Sequence, residues 1–125
     1  MSEEADRESV CTVIVNEGMH HIPSRVLRGD VYVYSRGPLD FSSEHNLNEQ
    51  LSNYAKGLIE FLRSKKWSRV FVVISGHAVA CMSVKLIVFR VTHMESEDWV
   101  FDGEGNYLLS DVIVRSQLRR SSQRS

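Results

Sequence analysis

The chain has 125 residues, of which 42% are hydrophobic and 25% are charged, a composition typical of one globular domain that folds without disulfides. Its formal net charge of −1 excludes a globally basic nucleic-acid binder. The apolar run 69–93 is broken at Ser75-Gly76-His77 and carries Lys85 and Arg90. These interruptions exclude a membrane span, which needs about 20 continuous apolar residues.

Cysteine usage and the first residues indicate the compartment. Cys11 and Cys81 each lie in apolar sequence, which is typical of reduced core thiols rather than of a secreted disulfide framework. The first ten residues are acidic and lack the basic and then apolar pattern of a signal peptide. We therefore expect a soluble protein of the cytoplasm or another intracellular compartment.

Charge divides the chain into three segments. Residues 1–9 are acidic and are predicted to be a disordered arm, whereas residues 10–114 are predicted to form a single domain. Residues 115–125 are predicted to be a flexible basic tail, either able to contact nucleic-acid phosphate or merely solubilising. The tail arginines are Arg115, Arg119, Arg120 and Arg124.

Two short β-branched segments open the domain. Residues 11–15 are predicted to be the first strand, and residues 30–35 the second, with its valines on one face and its tyrosines on the other. The interval 16–29 contains two glycines and a proline and is predicted to be a loop. Its adjacent His20 and His21 would need further ligands from elsewhere to hold a metal, so no metal site is predicted.

The next element is an amphipathic helix at 46–64. Apolar residues recur at three- and four-residue spacing from Leu47 to Leu62. Asn46 is predicted as the N-cap, with Glu49 completing a capping box. The basic residues that follow are interpreted either as an anion patch or, with preference, as an ordinary solvated helix end; they are Arg63, Lys65, Lys66 and Arg69.

The apolar middle contains one clear strand and one ambiguous segment. Residues 69–74 are predicted to be a strand covered on both faces. Residues 78–92 show no amphipathic stripe, and their β-branched residues from Val84 onward favour a strand. The small and flexible residues at 78–82 support the alternative, a second, buried helix at 78–92.

The last part is predicted to be a β-hairpin. An acidic connection at 93–98 precedes two apolar arms, 99–101 and 107–109, which flank a glycine-rich reversal at 102–106. Residues 111–114 are predicted to extend the second arm. The whole is predicted to be a single α+β domain with a sheet of five or six strands and the helix 46–64 on one face.

Ser75-Gly76-His77 is the first candidate site, because it directly follows a buried strand. Ligands of open α/β sheets gather at the carboxyl ends of strands, where glycine lets the backbone approach a phosphate; a plain turn is the alternative. A second group could hold a cation or transfer a proton, but a solvated acidic loop is favoured, since the spacing fits no known site. Its members are His93, Glu95, Glu97, Asp98 and Asp102.

The order of elements, with Ile74-Ser75-Gly76 ending a strand, a histidine at 93 and an aspartate at 102, resembles the small CRISPR-associated ring nucleases and the CARF-type domains that bind cyclic oligoadenylates. The resemblance covers about residues 69–110. It implies that the backbone of residues 75–77 lies against the ligand, that a helix follows, and that His93 and Asp102 sit nearby. Asp102 precedes Gly103-Glu104 rather than the Pro-Arg of some members, so we expect ligand binding rather than catalysis.

Two functions of different classes are left open. The first is binding of an anionic nucleotide-type ligand, a cyclic oligonucleotide or RNA, as in antiviral defence, through residues 75–77 with Arg69, His93, Asp102 and the basic tail. The second is a non-enzymatic accessory or adaptor role, through pairing of an edge strand or homo-oligomerisation. No catalytic triad or dyad can be assembled by spacing, and neither a cofactor nor a metal is predicted.

Overall fold

The computed structural model describes residues 9–18 and 20–110. The predicted basic tail at 115–125, the extension of the hairpin at 111–114 and all of the predicted acidic arm except Ser9 lie outside these residues. In chain order the elements are β1 (Val10–Glu17), a 3-10 turn (Ser24–Val26), β2 (Asp30–Arg36), α1 (Glu44–Arg63), β3 (Arg69–Ile74), α2 (Ala78–Thr92), β4 (Glu97–Phe101) and β5 (Tyr107–Ser110).

The five strands form one mixed sheet in the order β2-β1-β3-β4-β5. The first four strands run parallel, and β5 pairs antiparallel with β4. Both helices pack on the same face of the sheet, whereas the connection from β1 to β2 crosses the other face, where Val26 is buried. This arrangement confirms the predicted α+β domain, with five strands in the part of the chain that the structure describes.

Two hydrophobic layers hold the sheet in place. On the helix side, Leu58 and Leu62 of α1 pack with Val13 and Val72 of the sheet. On the other side, Phe71 packs with further residues of β1, β4 and β5. Full burial of each such aliphatic side chain contributes about 1.5–3 kcal/mol before the entropy of ordering the chain is subtracted. The prediction that residues 69–74 form a strand covered on both faces is therefore confirmed.

Residues 78–92 form the helix α2, so the preference for a strand from Val84 onward was wrong and the helix alternative is confirmed. Ala80, Val84 and Val88 recur every four residues and bury one face of α2 against the sheet. Parallel strands β3 and β4 also require a crossover between them, which is usually helical. Strand propensity yields to these tertiary demands. Another face of α2 exposes large apolar side chains, which explains the missing amphipathic stripe: Met82, Leu86 and Phe89.

Helix α1 begins two residues before the predicted start and has a different cap. Ser43 is the N-cap, and its hydroxyl accepts a hydrogen bond from the Asn46 amide at 3.0 Å. The Asn46 side chain instead donates to Asp40 at 3.2 Å. The predicted capping box of Asn46 with Glu49 was therefore wrong, since a serine three residues earlier already satisfies the amide.

The remaining strand predictions agree with the structure. The tyrosines of β2 face α1, where Tyr32 stacks on Phe61 with ring centroids 4.8 Å apart, while Val33 packs into the opposite layer. The hairpin is present as β4 and β5, although β4 begins at Glu97, within the predicted acidic connection. Within the described part of the chain, neither helix combines the length and the apolar character needed to cross a membrane.

Candidate ligand crevice at the carboxyl edge of the sheet

The connections that leave β1 and β3 cross opposite faces of the sheet. From β1 the chain crosses one face to β2, and from β3 it crosses the other face through α2 to β4. In open α/β sheets such a switch point leaves a crevice beyond the carboxyl ends of the two strands, and ligands bind there. Here the crevice is bordered by Asn16 on β1 and by Ser75-Gly76-His77 after β3.

The side chain of Ser75 continues the pairing where the backbone of β3 leaves the sheet. The ladder between β1 and β3 ends at Ile14 and Val73. Beyond it, the Ser75 hydroxyl donates to the carbonyl oxygen of Asn16 at 2.8 Å and accepts from the Asn16 amide at 3.1 Å. Both residues are buried. A hydroxyl thus satisfies the last backbone groups of β1 and leaves the β3 backbone free to turn away.

Gly76 makes the turn in a conformation that favours glycine. Its φ is +81°, and a Cβ added to it would lie 2.6 Å from the Cβ of Asn16, well inside van der Waals contact. The position therefore excludes other residues for two reasons, the left-handed backbone and the close approach. The backbone of Gly76 rests on the Asn16 side chain and is exposed on its outer side.

Asn16 carries an unsatisfied acceptor at the base of the crevice. Its Nδ2 donates to the carbonyl oxygen of Gly37 at 2.7 Å, which sets the orientation of the amide. Its Oδ1 is buried and has no hydrogen-bond partner among the described residues, and the whole residue is only 3% exposed. Leaving such an acceptor unpaired costs about 1–3 kcal/mol, so the position is one that a hydrogen-bond donor would stabilise.

The first turn of α2 opens onto the same crevice. His77 is the N-cap, with extended backbone and no hydrogen bond from its side chain to the helix. The amides of Ala80 and Cys81 bond to the His77 carbonyl, which leaves the amides of Ala78 and Val79 without partners inside the helix. His77 and Ala78 are exposed. Amides without helical partners at the positive end of a helix dipole suit an anion.

The loop before α1 forms the rim of the crevice. The ring of Phe41 meets the ring of His77 edge-on, with centroids 4.9 Å apart. Gly37, which accepts the hydrogen bond from Asn16, belongs to the same loop. Residues 37–41 therefore link Asn16, through Gly37, to His77, through Phe41.

The carboxylates at the carboxyl ends of the strands already bond to neighbouring groups of the protein. Glu17 pairs with Arg36 at 2.7 Å. The hydroxyl and amide of Ser42 hold the pKa of Asp40 below its ordinary value. The backbone amides of Glu104 and Asn106 do the same for the pKa of Asp102. Three acids at the carboxyl ends of the strands are therefore already paired within the protein.

The structure brings together only part of the predicted site. Ser75, Gly76 and His77 border the crevice. Asp102 lies at the same ends of the strands, because Val100 pairs with Ile74, and Asp102 and Gly76 each follow two residues later. Its carboxylate, however, accepts hydrogen bonds from two amides of the hairpin turn.

Two of the predicted residues lie near the amino ends of the parallel strands, away from the crevice. Arg69 begins β3 and bonds to Glu97 at 2.7 and 2.9 Å. His93 ends α2 as a left-handed C-cap with φ 60°, roughly 22 Å along the helix from its first turn. The structure therefore does not join Arg69 or His93 to the crevice. The tail residues Arg115, Arg119, Arg120 and Arg124 lie outside the described residues.

Sequence reasoning missed Asn16, Gly37 and Phe41. Asn16 directly follows a β-branched run and was assigned to a loop, yet a polar residue ending a strand is a signal that could have been used, since carboxyl ends of parallel strands meet. Gly37 and Phe41 carried no such signal, because only the packing of their loop brings them near Asn16 and His77.

No group of three or more histidine, cysteine, aspartate or glutamate side chains within 9–18 and 20–110 is arranged to hold a metal ion. The ring of His20 stacks on Phe101 with centroids 4.1 Å apart. Cys11 and Cys81 are free thiols, the first buried and the second half-buried.

No protein-family model, curated protein or solved structure matches the chain. The resemblance to ring nucleases and CARF-type domains therefore stays a prediction.

Proposed function

We propose that the protein binds an anionic nucleotide-type ligand in the crevice between β1 and β3. The observation that carries the proposal is the buried Oδ1 of Asn16, which has no hydrogen-bond partner among the described residues. The Asn16 side chain packs against Gly76, two residues before the first turn of α2, which no side chain caps. An unpaired acceptor and unpaired amides at the ends of neighbouring strands suit a ligand that offers both a donor and an anion. A nucleotide offers these groups as a ribose hydroxyl or base amine and as a phosphate.

The proposed binding mode follows from the positions of these groups. A phosphate accepts hydrogen bonds from the amides of Ala78 and Val79 and benefits from the helix dipole. A hydroxyl or amine of the ligand donates to Asn16 Oδ1. Because Asn16 is 3% exposed, binding shifts the loop 37–41 and separates Phe41 from His77.

The test removes one amide of α2 without disturbing the helix. Ala78→Pro replaces the first helical residue, where proline is well tolerated, and His77 already has the extended backbone (φ −79°, ψ 144°) that a following proline requires. The matched control is Glu44→Pro, the same change at the first residue of α1, where Ser43 is also extended. Isothermal titration calorimetry with a cyclic oligoadenylate, adenosine monophosphate and inorganic phosphate measures binding.

We expect saturable binding of at least one nucleotide by the parent and by Glu44→Pro, weakening with salt. Ala78→Pro should bind about tenfold more weakly, which corresponds to the loss of one charge-assisted hydrogen bond. The absence of saturable heat with all three probes, or equal affinity of Ala78→Pro and the parent, contradicts the proposal. Thermal unfolding of both variants verifies that they fold.

A second candidate function is self-association through the exposed face of α2. Met82 is 70% exposed, and Leu86 and Phe89 follow on the same face at 53% and 44%. They line a groove of about 780 Å³. The nearby Lys85 ammonium already bonds to Asp98 and Ser96, so burying it against a second copy would not leave it unpaired.

The partner in this second function is another copy of the same chain. Leu86→Glu places a charge at the centre of the apolar face, and Asn53→Glu places the same charge on the exposed side of α1. Light scattering over a range of concentrations should show a dimer for the parent and Asn53→Glu and a monomer for Leu86→Glu. A monomeric parent at every concentration contradicts this function.

A further inference from the structure

The helix-free face of the sheet carries three arginines stacked on two buried rings. The guanidinium of Arg25 lies 5.5 Å from the ring centroid of Trp99. Those of Arg28 and Arg69 lie 5.0 and 4.7 Å from the ring centroid of Phe71. The two rings are themselves only 6.5 Å apart. The three guanidinium groups therefore lie over one pair of neighbouring rings, and this surface is called the arginine face.

The two rings hold the guanidinium groups in place, but they are too deeply buried to contact a ligand themselves. Phe71 is 1% exposed and Trp99 8% exposed, whereas Arg25, Arg28 and Arg69 are exposed. Stacking restrains a long arginine side chain. Because the side chains are already restrained, less conformational entropy is lost when they bind.

The arginine face carries more positive than negative charge. Arg69 is paired with Glu97 through two hydrogen bonds. Arg25 donates to the carbonyl oxygen of Tyr107 at 3.1 Å, which orients it without neutralising it. Arg28 also acts on Glu97, since its charge contributes to lowering the pKa of that carboxyl, although less than Arg69 does. The acid nearest to Arg28 in sequence, Asp30, pairs with Lys65 instead. Among the described residues, Glu97 is thus shared by Arg28 and Arg69, and Arg25 is held by a neutral carbonyl.

We propose that the arginine face binds the phosphate backbone of single-stranded RNA, independently of the crevice. Guanidinium groups match phosphate oxygens with paired N–H donors, and several of them on one face suit a chain of phosphates better than a single phosphate. The rings beneath are covered and so cannot stack on bases. Contacts limited to phosphates carry no sequence information, so the binding is independent of base sequence.

The test compares two double variants that remove the same charge. Arg25→Gln/Arg28→Gln acts on the arginine face and leaves the Arg69–Glu97 pair intact. Arg63→Gln/Lys66→Gln acts on exposed residues at the end of α1. Fluorescence anisotropy with a labelled, mixed-sequence single-stranded RNA of roughly 20 nucleotides measures affinity over a range of salt concentrations.

We expect the first double variant to bind RNA about tenfold more weakly and to lower the salt slope of log K by about 1.4, which is two phosphate contacts at about 0.7 each for a single strand. The second double variant should change affinity by less than about threefold. A base-scrambled RNA should bind as well as the first sequence.

Three outcomes overturn the proposal: equal losses in both double variants, which show only an effect of net charge; an unchanged salt slope in Arg25→Gln/Arg28→Gln; and tighter binding of the parent to anionic lipid vesicles than to RNA. A third variant, Arg25→Lys/Arg28→Lys, guards against misfolding, because it keeps the charge. It should retain the salt slope of the parent while losing part of the affinity, since lysine lacks the planar pair of donors.

Discussion

The hydroxyl of Ser75 closes the end of β1 by donating to the carbonyl and accepting from the amide of the same residue, Asn16, at 2.8 and 3.1 Å. A neighbouring strand would normally supply those two bonds through its backbone. Because one side chain supplies both, β3 can leave the sheet at this point without leaving Asn16 backbone groups unpaired. The crevice therefore opens at the end of the pairing between β1 and β3 without exposing the core.

Replacing Ser75 by alanine should destabilise the fold. Ser75→Ala leaves a buried amide and a buried carbonyl of Asn16 unpaired, which we expect to lower the free energy of unfolding by about 2 kcal/mol. Ser68→Ala removes an exposed hydroxyl that donates to the Ser9 carbonyl and should cost less than about 1 kcal/mol. Urea denaturation measures both, and equal costs would show that burial of the Ser75 hydroxyl is unimportant.

Two glycines with similar backbone angles should respond differently to alanine. Gly76 and Gly37 have φ of +81° and +73°, but only at Gly76 would a Cβ meet another residue, 2.6 Å from the Asn16 Cβ. Gly37→Ala should cost about 1 kcal/mol for the left-handed backbone. Gly76→Ala should cost about 1–3 kcal/mol more, because of the added overlap. Equal melting temperatures for the two variants would contradict this contact.

The ion pair of Glu97 with Arg69 should make stability depend on acid pH. Hydrogen bonds from Arg69 hold the pKa of Glu97 below its ordinary value of 4.5. A carboxyl with a lower pKa in the folded state stabilises the fold fully above its unfolded pKa and loses that contribution as the pH falls through the folded pKa. Because Arg69 is 47% exposed, we expect only about 0.5 kcal/mol.

Comparison with a glutamine variant isolates this contribution. The difference in unfolding free energy between the parent and Glu97→Gln should be largest above about pH 5 and should shrink toward about pH 2. The corresponding difference for Glu49→Gln, on the exposed side of α1, should change less with pH. A Glu97→Gln difference that grows on acidification would have the wrong sign.

The two thiols should react slowly in the folded protein. Burial, with a smaller effect of the Asp30 charge, raises the pKa of Cys11 to about 12, and burial also raises the pKa of Cys81. Since the thiolate is the reactive form, we expect a disulfide reagent at about pH 8 to modify Cys81 slowly and Cys11 only after unfolding. Repeating the assay on Cys81→Ser assigns the rates, and rapid labelling of that variant in the folded state would contradict the burial of Cys11.

Local patterns were sufficient for the elements whose signal is contained within a few residues. The β-branched runs of β1 and β3, the valine and tyrosine alternation of β2, the stripe of α1 and the glycine-rich turn after β4 each placed an element near its observed bounds. Ser75-Gly76-His77 was also placed correctly at the end of a buried strand, because an apolar run broken by glycine must turn there.

What depends on packing between distant segments was decided only by the tertiary structure. Val84 and Val88 lie in a helix, despite their strand propensity, because α2 must cross between parallel strands and cover β1 and β3. Arg69 lies at the amino ends of the parallel strands and Gly76 lies just beyond their carboxyl ends, because the six residues of β3 run between them. Asn16 comes to lie against Gly76, and Arg28 and Arg69 come to lie over the same Phe71 ring, because strands far apart in the chain pair side by side. Strand order is set by contacts between residues far apart in the chain, and no local pattern records it.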